Sequence, residues 1–127
     1  MMIFIIGGRG SGKLEFVKLK FDLKDKNIGD GMEIDIDDLN EYDVLYDIDQ
    51  LIRRFSDKDD VDNLITNNEN AYIIVANEIE DGIAPADEKE ERGRELLRQT
   101  YDKLEEKADT VIYMMAGVPK YLKGEKI

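Results

Sequence analysis

The chain has 127 residues, of which 42% are hydrophobic, enough for one core and hardly for two. Its 30 acidic and 18 basic residues leave a formal charge of -12, which repels phosphodiester backbones and anionic lipid surfaces, so neither nucleic acid nor a membrane is an expected partner. Cysteine and histidine are both absent, which excludes disulfides, thiolate nucleophiles, Ser-His-Asp arrangements and most zinc chemistry, leaving Lys, Asp, Glu, Ser, Thr and Tyr as reactive groups.

A single domain over residues 1–127 is therefore expected. Met1 to Ile6 form an apolar opening too short to span a bilayer and without the basic flank of a signal peptide, so the expected location is cytoplasmic. Residues 2–6 predict a strand buried on both faces of a parallel sheet, stopped by Gly7 and Gly8. A helix is expected from about Lys13, with Phe16, Val17 and Leu19 on a partly apolar face, and the polar stretch 24–31 reads as an exposed loop. Residues 32–37 alternate apolar with acidic, which suits an edge strand or an extended connection.

A strand over 43–48 leads into a short helix at 51–55, and Asp57 to Asp60 read as a solvated helix start rather than a metal site. Residues 71–76 predict a second buried strand ending at Asn77 and Glu78, followed by a turn around Gly82 and Pro85. From Asp87 to Lys107, Leu96, Leu97, Tyr101 and Leu104 recur at helical spacing beneath many charges, which predicts one amphipathic helix. Residues 110–116 form the last expected strand, before Gly117, Val118, Pro119 and a basic tail. Strands alternating with helices predict an α/β fold with a mostly parallel, helix-covered central sheet.

Gly7-Gly8-Arg9-Gly10-Ser11-Gly12-Lys13 fits G-x-x-x-x-G-K between a buried strand and a helix start, where a phosphate loop has to sit. Glycines let backbone N–H groups converge on phosphate oxygens, the helix N-terminus adds positive potential, and Lys13 puts a point charge at the outer phosphates. The next residue is Leu14, where a Ser or Thr hydroxyl would normally ligate magnesium. Phosphate binding is thus expected, and magnesium positioning is in doubt.

The second half carries Ile74-Val75-Ala76-Asn77-Glu78-Ile79, Gly82-Ile83-Ala84-Pro85, Arg92, Arg94, Leu96-Leu97, Ala108-Asp109-Thr110-Val111 and Ala116-Gly117-Val118-Pro119 with Leu122-Lys123. Their order and spacing resemble the bifunctional adenosylcobinamide kinase/adenosylcobinamide-phosphate guanylyltransferases, without gaps from about Tyr72 to Lys123. Ile6, Gly7, Gly8, Arg9, Ser11, Gly12 and Lys13 resemble that family's opening strand and loop. The resemblance implies a P-loop NTPase-like three-layer fold. It also implies ATP or GTP with Mg2+ as cofactors, a corrinoid substrate, and a homo-oligomer with a trimer as the candidate size.

Under the same resemblance, Gly7, Gly8, Arg9, Gly10, Ser11, Gly12, Lys13 and Leu14 would bind nucleotide, joined by Glu33. Lys13 would stabilise developing charge, Asp47 at a strand end would hold the metal, and Glu78 would orient the acceptor. Arg92 and Arg94 are further phosphate candidates on the long helix. The family's guanylyl transfer runs through a histidine, which this chain lacks, so that half of the chemistry is excluded. The expected function is phosphorylation of a corrinoid hydroxyl in cobalamin biosynthesis. The alternatives are a non-catalytic nucleotide-binding or regulatory relic of that family, or a structural subunit whose glycine loop is only a turn.

Overall fold

The computed structural model describes residues 1–79 and 87–127. In chain order they form β1 (Ile3–Gly7), α1 (Lys13–Lys20), β2 (Ile28–Asp30), a 3-10 helix (Ile36–Glu41), β3 (Val44–Tyr46), α2 (Ile48–Arg54), α3 (Val61–Thr66), β4 (Ile73–Asn77), α4 (Glu88–Lys107), β5 (Thr110–Met115) and β6 (Val118–Lys123). The strands make one sheet in the order β2-β3-β4-β1-β5-β6, parallel throughout except for β6, which runs antiparallel to β5.

The apolar run of β1 is buried along its whole length because both faces of the sheet are covered. Phe4 and Ile6 join one cluster with Leu51 and Ile52 of α2 and Leu97 and Leu104 of α4. Ile3 and Ile5, pointing the other way, pack with Phe16 and Val17 of α1. Complete burial of each such side chain contributes about 1.5–3 kcal/mol. The expected mixed α/β fold with a mostly parallel, helix-covered sheet is therefore observed. The long helix also begins as its sequence predicts: the Asp87 carboxylate accepts from Glu90 N at 2.8 Å, and Glu88, Glu90 and Glu91 sit in the first turn, where the helix dipole favours negative charge.

Three segments differ from their sequence reading. Within 24–31, expected to be an exposed loop, Ile28–Asp30 pair with β3, and Gly29 is buried beneath Tyr42 with no room for a Cβ. Three residues of such mixed polarity leave no periodicity to detect. Residues 32–37 are a turn leading into the 3-10 helix, which Asp35 caps by accepting from Asp37 N. The alternation of Ile34 and Ile36 reflects real burial, but Leu39 continues it at helical spacing. The basic tail is β6, joined to β5 by Ala116 and Gly117 at φ 49° and 78°, the two positive angles of a tight hairpin turn. Pro119 is tolerated because β6 is an edge strand. Leu19, expected on the apolar face of α1, is 85% exposed, and the turn expected at Gly82 and Pro85 lies outside the described residues.

The connection leaving β1 runs outward to β2, whereas the one leaving β4 passes β1 and returns at β5 on its other side. The carboxyl ends of β1 and β4 are thus the point where crossovers diverge, the crevice in which open α/β sheets bind ligands.

Candidate functional site

At that crevice β1 ends on Gly7, where a Cβ would lie 2.5 Å from the Met114 carbonyl oxygen and 2.8 Å from Ser11 Oγ. Only glycine fits. Gly12 precedes α1 at φ 91°, a left-handed angle that glycine adopts without strain. Ser11 N donates to Gly8 O at 3.2 Å, and Gly117 N donates to Ser11 O at 2.9 Å, tying the loop to the β5–β6 turn.

Lys13 opens α1 and is 8% exposed, with its ammonium folded back onto the loop. Nζ donates to Gly8 O at 2.7 Å, to Gly7 O at 3.1 Å and to Ser11 Oγ at 3.3 Å. Burial pushes its pKa below the ordinary lysine value, against the opposing pull of Asp49, Asp47, Glu78 and Glu15.

A cavity of about 450 Å³ opens beside the loop, within the size range of small-molecule clefts. Arg9 to Glu15 form one side of its lining, Met32, Asp47 and Gln50 another, and Val75 and Asn77 of β4 complete it. Asp47 sits between β3 and α2 at φ 51°. Burial, then repulsion from Asp49 and Asp30, holds its carboxyl above the ordinary aspartate value, with Lys13 and Arg9 acting in opposition. The turn carrying Met32 is pinned from α2: Arg54 donates to Gly31 O at 2.7 Å and to Ile34 O at 2.8 Å.

The end of β4 is held from two further helices. Buried Asp49 accepts from Asn77 N at 3.2 Å, and Tyr101 of α4 donates to Asn77 O at 2.6 Å. Beyond it, Glu78 N donates to Gly7 O at 3.0 Å, and the Tyr113 hydroxyl of β5 donates to Glu78 Oε2 at 2.7 Å. That hydrogen bond raises the Tyr113 pKa. Gly8, Arg9, Asp49, Arg53, Asn77 and Glu78 line a smaller cavity of about 70 Å³.

The structure therefore gathers Arg9, Gly10, Ser11, Gly12, Lys13, Leu14 and Asp47 around one cavity, with Gly7 and Gly8 shaping the loop and Glu78 on its flank. Glu33 does not join them; it is exposed in the turn after β2, and Met32 beside it lines the cavity instead. Arg92 pairs with Asp57, between α2 and α3, at 3.3 Å and Arg94 with Glu90 of α4 at 3.6 Å, so both are engaged in ion pairs. Sequence reasoning missed Met32, Gln50, Asp49 and Tyr113. The Asp47-x-Asp49 spacing could have flagged Asp49, whereas Tyr113 lies in an apolar strand with no local sign of a partner at Glu78.

Among the described residues, no cluster of three or more acidic side chains is placed to hold a metal ion, and no helix is long and apolar enough to cross a membrane. No family model and no curated protein matches the chain. Among solved structures, a Pyrococcus horikoshii OT3 protein known from a structural study is similar over 98% of this chain and 74% of its own, at 12% identity and a TM-score of 0.38, a likeness too distant to carry function.

Proposed function

We propose that this chain is a phosphate-loop protein of the P-loop NTPase-like three-layer class that binds ATP or GTP, with the polyphosphate between the Gly7–Lys13 loop and Asp47. The observation that carries this reading is Lys13. A lysine is seldom so buried without a counter-ion, yet its three acceptors are neutral oxygens of the loop itself. No ion pair among the described residues neutralises its charge, so it attracts an anion to the N-terminus of α1, where a phosphate oxygen can take over an N–H from one of the loop acceptors. Isothermal titration with ATP and GTP tests it: micromolar binding is expected for the wild type and its loss for Lys13→Ala. Silence at millimolar ligand would overturn the reading.

One observation favours an extension to catalysis. Glu78 Oε2 is occupied by Tyr113, which leaves Oε1 beside Gly8, 3.4 Å from where a Cβ on that glycine would stand. A carboxylate there can orient an acceptor hydroxyl next to the terminal phosphate. Under the family resemblance the acceptor is a corrinoid hydroxyl, and the reaction moves the nucleotide γ-phosphate onto it. Transfer of labelled γ-phosphate to adenosylcobinamide is the assay. Saturating nucleotide without product would leave the non-catalytic binding module.

A further inference from the structure

Magnesium takes near-octahedral oxygen coordination, drawn in phosphate-loop proteins from a hydroxyl after the loop lysine, one or two carboxylates and the phosphates. At this cavity the position after Lys13 is Leu14, 41% exposed and part of the wall. Its side chain has no lone pair to offer and disfavours a hydrated cation beside it. Asp49 is already committed: Oδ1 accepts from Asn77 N at 3.2 Å, and Oδ2 from Gln50 Nε2 at 3.3 Å and Asn77 Nδ2 at 3.4 Å. Asp47 and Glu15 line the cavity from separate elements, with no hydroxyl at the position after the loop lysine to join them. This donor set does not fit a magnesium–triphosphate.

The cations at the same cavity are Arg9 and Lys13. Arg9 lies on the loop between Gly8 and Gly10 and lines both cavities, so its guanidinium is placed to fork onto phosphate oxygens there. We infer that the loop takes its nucleotide as the metal-free anion, Arg9 and Lys13 together supplying the positive charge that magnesium provides in metal-dependent loops. This rests on the nucleotide-binding reading above. Leu14 is the element that excludes the metal, and Arg9 is the one that replaces it.

The test is calorimetric titration with ATP in excess EDTA and again in excess magnesium, on the wild type, Arg9→Ala, Leu14→Thr and Lys13→Ala. Wild-type affinity in EDTA is expected to equal or exceed that in magnesium. Arg9→Ala should lose about tenfold or more in EDTA, the effect of one charge-assisted contact. Leu14→Thr should bind at least about tenfold tighter with magnesium than without, since it restores a hydroxyl ligand. Wild-type binding that strengthens about tenfold in magnesium and vanishes in Lys13→Ala would overturn this inference and keep the nucleotide-binding reading. Absence of wild-type binding in both media would overturn the two together. A Leu14→Thr protein with the wild-type melting temperature that still ignores magnesium would overturn the role given to Leu14.

Discussion

Two regions of this molecule set acids near bases, and they differ in what surrounds the charges. Along α4 and its neighbours, Lys103 meets Asp62 of α3 at 2.5 Å, Arg92 meets Asp57 of the connection before α3 at 3.3 Å, and Arg94 meets Glu90 at 3.6 Å. Most of these groups face water, where such pairs contribute about 0–1 kcal/mol each. At the carboxyl edge of the sheet, buried Lys13 makes no ion pair among the described residues and bonds only to neutral oxygens, while Asp47 and Asp49 stand near enough to affect its pKa. Proximity of opposite charges is thus a poor mark of a site. A charge that is desolvated, held in place and left without a counter-ion is a better one.

The sharpest way to break this contrast is to remove one base from each region. Lys13→Ala should weaken ATP binding about a hundredfold or more, since it removes a charged donor from a partly desolvated site, whereas Arg92→Ala should leave affinity unchanged. Equal effects in calorimetry would dissolve the distinction. For stability the acids serve the same purpose. Asp49→Ala strands the Asn77 N–H at the end of β4 and should cost about 2–4 kcal/mol in denaturant unfolding, against at most about 0.5 kcal/mol for exposed Asp57→Ala.

Asp47 sharpens the comparison through pH. In the proposed complex a phosphate would repel its carboxylate, so binding should be accompanied by proton uptake, and ATP affinity should fall as pH rises through the raised carboxyl pKa. Asp47→Asn should abolish that dependence and raise affinity in EDTA a few-fold, read from titrations across acidic to neutral pH. The smallest effect belongs to Asp62, whose hydrogen bond from Lys103 holds its pKa below the ordinary value. A lowered folded-state pKa means that its stabilisation is present above the unfolded pKa and is lost as pH falls through the folded one. With Lys103 exposed and Asp62 half-buried, that amounts to about 1 kcal/mol, and a melting curve of Lys103→Ala should lose the acid limb due to this pair.

The centre of the fold was legible in the sequence and its edges were not, for a physical reason. β1, β4 and β5 are buried on both faces and so carry unbroken apolar runs, and α4 carries a strict helical stripe. β2 and β6 are edge strands whose register comes from partners distant in sequence; Gly29 and Pro119 even argue against strand locally. The loop was visible because its spacing is local, and Asp47 came from the family resemblance at a strand end. The Asp49–Asn77 and Glu78–Tyr113 contacts join residues 28 and 35 apart, and Arg54 reaches back 23 residues to hold the turn beside Met32, so folding alone brings them together. Glu33, assigned to the nucleotide by resemblance, lies outside the cavity lining, whereas its neighbour Met32 is part of it.

Nucleotide contact at the loop is tested most directly by recording the amide proton–nitrogen NMR spectrum of labelled protein while ATP is added. The expected result is saturable shifts concentrated in Gly8 to Glu15, with smaller ones at Asp47 and Asn77 and none at Arg92. Shifts that spare the loop, or no shifts at millimolar ATP, would contradict a phosphate site at Lys13.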